Sequence, residues 1–450
     1  MNKYSGYSSH ASLAIIADWM EKGAIWEKIE TGLKIKQKTI KHTPHEKLRD
    51  VFINMLVGGK GVAEINVRVR SDRGLQKAFG RKACAEQSLV SSTLNACNEK
   101  NVMEMRKILR EVYQEFGQGY RHNYKKAYLL LDIDLTGLLA GRQAEGASKG
   151  YFSGTKNKRG RQLGRVWSSQ YEEIVHEQLY DGKVQLEKCL MDLIEATESV
   201  LGLEEQRRKR TILRVDGGGG TDGNINWALE RGYFWLSKVK NWQRTQKLVT
   251  PITTWQTLPH LPKHQVAWIP VPHRYCRPTR QLAVRWQKPK GGWHYCVLVF
   301  NLTNQMIFEL AGQNLPTTLS ETDLFSVILK AYNLRCGGVE TSFKNSKQGL
   351  GVHKRNKKNF QAQHILVLLA QLAYNILIWV RLQLATLNPT LQSFGLLRLL
   401  RDVFSIPGAF HFDEHDRLVS LTLNQSHRFA SLFISLPRSP NDLLVILHEI

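Results

Sequence analysis

Three acidic residues in three separate contexts hold the chemistry open to this chain. Asp134, with Asp132 as the alternative two residues earlier, lies in the apolar run AYLLLDIDLTG; Asp216 closes TILRVDGGGG; Glu340 lies in YNLRCGGVETSFKNSKQGL. Strand Asp, strand Asp, helix Glu is an order that builds a carboxylate cage for two divalent cations. Such ions, roughly 3.5–4 Å apart, activate an attacking oxygen and stabilise a leaving oxygen at phosphorus, and as hard cations they demand oxygen ligands. Asp and Glu supply those without a tuned pKa, so no catalytic histidine is required. The expected cofactor is Mg²⁺, two ions, with Mn²⁺ able to substitute.

The rest of the 450-residue chain is strongly basic, with 63 Lys and Arg against 39 Asp and Glu and a formal charge of +24. Self-repulsion on that scale points to a polyanionic partner, and with the carboxylates it points to a phosphodiester in DNA. An anionic membrane would call for a basic amphipathic helix or an anchored tail, and neither is evident. The most apolar stretch, 364–385, contains Gln371, Asn375 and Arg381 and reads as a buried core helix, not a span. The six cysteines are scattered, with no CxxC pair and no signal peptide before them, which reads as reduced thiols in a cytoplasmic protein.

Several elements must position the acids. Residues 1–120 read as helical, opening with the basic series Lys34, Lys36, Lys38 and Lys41; within them, 75–97 has two helical pieces around Gly80, the shape of a helix-turn-helix and equally of a plain helical hairpin. The run 127–135 reads as a strand buried on both faces. Asp132 and Asp134 share one of those faces, so one can reach a metal while the other supports it or caps the turn at Thr136-Gly137. Residues 150–169 read as two strands joined by a loop bearing Lys156, Lys158, Arg159 and Arg161, a grip for a phosphate backbone. Residues 172–210 read as helical. The glycines after Asp216 lack the Lys-Ser/Thr of a P-loop and serve close approach of metal, water or DNA backbone.

Beyond about 241, proline and aromatic residues concentrate, and seven of the eleven tryptophans lie between Trp227 and Trp293. This reads as β-rich, with most tryptophans in the core and one or two free to stack on an unpaired or flipped base. Ser320 caps a helix through FSVILKAYNLR, Gly337-Gly338 break it, and a second helix carries Glu340, Lys344 and Lys347 on one face. These three are either a set of surface ion pairs or a metal ligand followed by two phosphate grips. Residues 386–450 read as a small α+β tail with a hairpin at 409–423, whose His411, Asp413, Glu414, His415 and Asp416 read as a turn and not as metal ligands.

From about 120 to 385 the chain resembles the DDE transposases of bacterial insertion sequences, of the cut-and-paste type. The sharpest match is to that family's Tyr-Arg-Glu-Lys signature, here Tyr332, Arg335, Glu340 and Lys347. Two residues separate Tyr332 from Arg335 and six separate Glu340 from Lys347, as in the pattern; four lie between Arg335 and Glu340, where the pattern has three. The family's first Asp commonly precedes a Thr by two, which favours Asp134 over Asp132; Asp216 matches the second.

The resemblance implies an α/β fold with a ribonuclease-H-like core (121–240 and 316–385) interrupted by a β-rich insertion (241–315), between a helical DNA-binding region (1–120) and the C-terminal tail (386–450). It implies Asp134, Asp216 and Glu340 as catalytic metal ligands, and Tyr332, Arg335 and Lys347 as DNA contacts; Lys344, on the same helix face as Glu340, is expected to join them beside Lys156, Lys158, Arg159 and Arg161. The implied activity is Mg²⁺-dependent cleavage at the element's terminal inverted repeats and strand transfer into target DNA. The partners are double-stranded DNA and a second copy on it, and the setting is the bacterial nucleoid. A non-transposing nuclease on the same fold would use identical carboxylates. A non-catalytic DNA-binding protein, or an RNA-associated protein, would account for the charge alone.

Overall fold

The structure is a computed structural model; it describes residues 5–38, 41–152, 155–289, 291–435 and 443–449, the side chains of 5, 151, 155 and 156 excepted. In chain order its strands are β1 (Ser5–Ser8), β2 (Leu129–Leu139), β3 (Ser148–Phe152), β4 (Thr155–Ser168) and β5 (Glu173–Asp181). There follow β6 (Thr211–Val215), β7 (Phe234–Lys238), β8 (Gln256–Leu258), β9 (Leu261–Trp268), β10 (Arg280–Gln287) and β11 (Trp293–Phe300). The last three are β12 (Gly408–Phe412), β13 (Leu418–Asn424) and β14 (Leu444–His448). The chain divides into two compact units: 1–117 with 138–161 and 343–450, and 118–137 with 162–342.

The second unit holds the three acids. Its strands lie in the order β5, β4, β2, β6, β7, β11, β10, β9, β8, with β2, β6 and β7 parallel and β7 onward antiparallel. The aromatic-rich strands therefore extend the sheet that carries the aspartates, joining it where β11 pairs with β7. Because side chains alternate along a strand, Leu130, Ile212 and Leu236 share a face and pack with Phe325, Ile328, Ala331 and Tyr332 of the helix Glu321–Arg335. Ser320 caps this helix by accepting from the Asp323 amide at 3.1 Å, as expected from its sequence.

Three expectations are corrected here. The segment 172–210 is not helical throughout: Glu173–Asp181 is a strand, and the helix begins at Leu186. The alternation Val175, Glu177, Leu179 is a buried strand face whose middle member is charged, and Glu177 is tolerated there because Arg165 pairs with it at 2.7 Å. Of the seven tryptophans expected mostly in the core, Trp235 is buried, Trp242 is exposed, and the other five are half-buried. Two of the glycines after Asp216 serve packing and not close approach of a ligand: a Cβ on Gly220 would lie 1.8 Å from the Lys238 carbonyl oxygen, and one on Gly219 would lie 2.6 Å from Val215.

The first unit is built around the helix Phe360–Leu387, against which Pro44–Leu56, Gln87–Ala96 and Glu99–Phe116 pack. It is long and apolar enough to cross a membrane, yet 94% of its most apolar stretch is buried. Trp379 stands among Trp19, Tyr113 and Phe116 with ring centroids 5.8–6.5 Å away. The two helical pieces around Gly80 are Arg73–Ala78 and Gln87–Ala96; the second carries no Lys or Arg and buries Val90, Thr93 and Leu94. The C-terminal segment forms a sheet in the order β1, β12, β13, β14, so the chain's first strand completes it. The predicted hairpin is β12–β13, and Asp413 in its turn accepts from the amides of His415 and Arg417, at 2.9 and 2.8 Å.

Candidate active site

Parallel pairing of β2 with β6 runs from Leu129↔Thr211 to Ile133↔Val215; one residue further, the same register sets Asp134 beside Asp216. Both project from the face covered by Glu321–Arg335, and the end of that helix supplies Arg335. Its guanidinium meets all three acids: Nη1 donates to Asp134 at 2.8 Å, and Nη2 donates to Glu340 at 2.8 Å and to Asp216 at 3.4 Å. Arg335 is 6% exposed, while the Asp216 and Glu340 carboxylates are 43% and 48% exposed. The cation thus lies beneath an anionic set that opens to solvent.

The helix reaches Glu340 by an unusual turn. Cys336–Glu340 is π-helical, and Thr341–Gln348 resumes as an α-helix. The predicted break at Gly337-Gly338 is therefore not a break but an inserted residue. In an unbroken α-helix five residues turn through ~500°, leaving Glu340 about 140° from Arg335; the π turn brings the two side chains into contact, absorbing the extra residue noted in the signature. Gly338 is required there, since a Cβ would sit 2.6 Å from the Trp167 ring and 2.9 Å from Asp132 Oδ2, whereas Gly337 faces open space. Ser342 anchors the far side, receiving a bond from Arg165 at 2.8 Å and donating to the Val339 carbonyl at 2.7 Å.

Asp132 has a different position. It is fully buried and held by Arg214, Nε to Oδ1 at 2.6 Å and Nη2 to Oδ2 at 2.8 Å, with Ser169 donating at 2.5 Å. Arg214 also donates to the Ala331 carbonyl, tying the sheet to the covering helix. Arg214 escaped the sequence reading, although the signal was present: a charged residue inside the apolar strand TILRV, two before Asp216, needs a buried counter-charge.

Around the three acids, burial and the neighbouring Asp216 push the Asp134 carboxyl up to about 6 against the pull of Arg335. Its Oδ1 also accepts from the Leu135 amide at 2.8 Å. Tyr332 is buried and donates to Asp216 at 3.2 Å; burial and that carboxylate push its phenol well above the usual range. Burial works against the charge on Arg335, but Asp134, Asp216, Tyr332 and Glu340 together hold its pKa above the ordinary arginine value.

The donor set, three carboxylates gathered about one positive charge, has the chemistry that Mg²⁺ or Mn²⁺ needs. Among the described residues, no three His, Cys, Asp or Glu side chains are drawn close enough to form a closed cage; the Arg335 guanidinium lies between the three acids.

The other expected DNA contacts divide. Tyr332 and Arg335 are spent on the carboxylates. Arg161 is buried and donates to the carbonyls of Glu145, Lys357 and Lys358 at 2.6, 3.0 and 2.8 Å, so it is a structural arginine and no phosphate grip. Lys158 and Lys344 are exposed, and Arg159 and Lys347 half-buried. Lys158, Arg159 and Arg161 stand on β4, not in a loop, and the side chain of Lys156 lies outside the described residues.

In comparisons with known proteins, the family model for transposase DDE domain group 1 matches residues 5–439. No curated protein matches the chain in sequence. Among solved structures, the piggyBac transposase synaptic complex with hairpin DNA shares 9% identity, with 89% of this chain and 83% of that one covered at a TM-score of 0.46. The pre-cleavage Mos1 transpososome shares 14% identity over 42% of this chain and 58% of that one, at a TM-score of 0.13.

Proposed function

From its membership of the transposase DDE domain group 1 family, we propose that the chain is the transposase of a bacterial insertion sequence. It binds the terminal inverted repeats of its own element, cuts DNA there and joins the freed ends to target DNA. The observation that carries this reading is the convergence of Asp134, Asp216 and Glu340, from two adjacent parallel strands and a helical turn, on a single positive charge. A mixed sheet with its acids in or just after neighbouring parallel strands supports a ribonuclease-H-like core, and the antiparallel run β8–β11 supports a β-rich insertion in it.

Asp134, Asp216 and Glu340 would hold the metal. When bound, two Mg²⁺ ions activate the attacking oxygen and stabilise the leaving oxygen. The chain's own groups orient these ligands: the Leu135 amide fixes one oxygen of Asp134, and the Tyr332 hydroxyl fixes one of Asp216. The exposed Lys158 and Lys344, with Arg159 and Lys347, supply phosphate contacts whose strength falls with salt. Two ends must be paired, so the working form is a dimer on DNA, in the bacterial nucleoid.

The test is Mg²⁺-dependent cleavage of a plasmid carrying the gene's own flanking DNA, with wild type and Asp216→Asn side by side. Cuts confined to two inverted flanks, lost in the variant while DNA binding persists, are expected. Normal cleavage by Asp216→Asn would sink the assignment, and scattered cuts would make the protein a general nuclease.

A further inference from the structure

Arg335 contacts more of the carboxylate set than any DNA-contact role requires. One guanidinium bridges an Asp of β2, the Asp after β6 and the Glu of the π turn, while its own Nε is buried and has no hydrogen-bond partner. A built cradle would satisfy that N–H as well; here the group is held only through its two terminal nitrogens, by the acids themselves. Arg335 lies on the protein side, and the Asp216 and Glu340 carboxylates open to solvent while Asp134 is largely covered.

We propose that Arg335 is the resident counter-cation of this constellation: it preassembles the three acids, weakens metal binding while it stays, and is drawn off by a DNA phosphate. Before DNA arrives, the like charges of Asp134, Asp216 and Glu340 are held together by the guanidinium. An incoming divalent cation must share those oxygens with an existing positive charge only a few ångström away, which opposes loading. A phosphodiester offers the planar fork a bidentate acceptor in exchange. Metal and DNA then bind cooperatively, each strengthening the other by the same factor. Arg335 is in this sense a positioning residue, and its role rests on the reading of the three acids as metal ligands.

The experiment counts free Mn²⁺ by electron paramagnetic resonance while full-length protein is titrated without DNA, which requires no activity. Arg335→Gln should bind Mn²⁺ roughly tenfold tighter than wild type, or more. Binding equal to or weaker than wild type overturns the proposal. Arg335→Lys keeps the charge but loses the planar fork whose two terminal nitrogens reach the separate acids, so it should also bind more tightly than wild type; it decides the matter if Arg335→Gln does not fold. With a short duplex of the flanking sequence, wild-type affinity should rise toward that of the variant, and equal gains in both proteins overturn the phosphate exchange. Adding Asp216→Asn to Arg335→Gln separates the two levels of the reading: loss of the tight Mn²⁺ shows that the ion sits on these acids. Mn²⁺ binding indifferent to Asp216 overturns the metal-site reading itself.

Discussion

Asp132→Asn and Asp134→Asn, two residues apart on one face of one strand, should fail in opposite ways. Asp132 is fully buried against an Arg214 that is itself 2% exposed, and Arg214 donates to it twice. Neutralising the acid leaves a guanidinium in the interior without its counter-charge, which costs about 3–5 kcal/mol. In a unit of this size each kcal/mol moves the melting midpoint by roughly 2–4 °C, so the expected drop is roughly 6–20 °C. Asp134 differs. Its carboxyl is pushed up to about 6, first by burial and then by Asp216, so the ionised form is the one the fold disfavours, and a neutral isostere relieves that cost. Two carboxylates still face Arg335, and the midpoint should stay within the equivalent of about 1 kcal/mol. Thermal melts at pH 7.5 followed by circular dichroism, in parallel with the plasmid assay, decide it. Asp134→Asn should remain folded and bind DNA without cutting; Asp132→Asn should melt early. Equal destabilisation by both, or an Asp132→Asn that melts like wild type, would refute the division of labour between the two residues.

Gly338→Ala places a methyl against Trp167 and Asp132 and should cost about 1–3 kcal/mol while displacing the turn that carries Glu340. Gly337→Ala, which meets open space, should melt within about 1 kcal/mol of wild type, and equal effects in the two melts would show that the π turn is not held by that contact. Arg161→Ala should lower the melting midpoint, since three backbone carbonyls lose their donor. Lys158→Ala should leave the midpoint alone and instead reduce the slope of log affinity against log salt by about one, as measured by fluorescence anisotropy on duplex DNA. The reverse pattern would restore Arg161 as a phosphate contact.

The strands bearing the acids were legible because their signals are local, continuous apolar runs bearing a carboxylate; the turn expected at Thr136-Gly137 is absent, since β2 runs on through both residues to Leu139. The choice between Asp132 and Asp134 was not legible from alternation, which gives both the same face. It required the partner across the sheet, Arg214, whose register with Asp132 depends on pairing between residues 82 positions apart. β5 was misread because Glu177 interrupts its apolar alternation, and the buried Arg165 that licenses it lies on another strand. The π turn was misread because paired glycines ordinarily end a helix; what keeps the helix going is tertiary, Trp167 and Asp132 closing on Gly338. The tryptophans were overcounted as core because they are spread over the helices Asp222–Glu230 and Trp242–Val249 and the antiparallel strands at the far end of the sheet, where all but Trp235 keep part of their surface in solvent.

The placement of β1 has a bearing on how the protein is made. Residues 5–8 pair with residues 408–411, so β1, once synthesised, waits for a partner some four hundred residues behind it. At about 5–20 residues per second that is a delay of roughly 20–80 s. The acids' own unit is complete by Ser342 and is free to fold while the first unit still lacks its central helix and its sheet. A message cut short between those points would yield a chain with its carboxylates assembled and its other half unable to close.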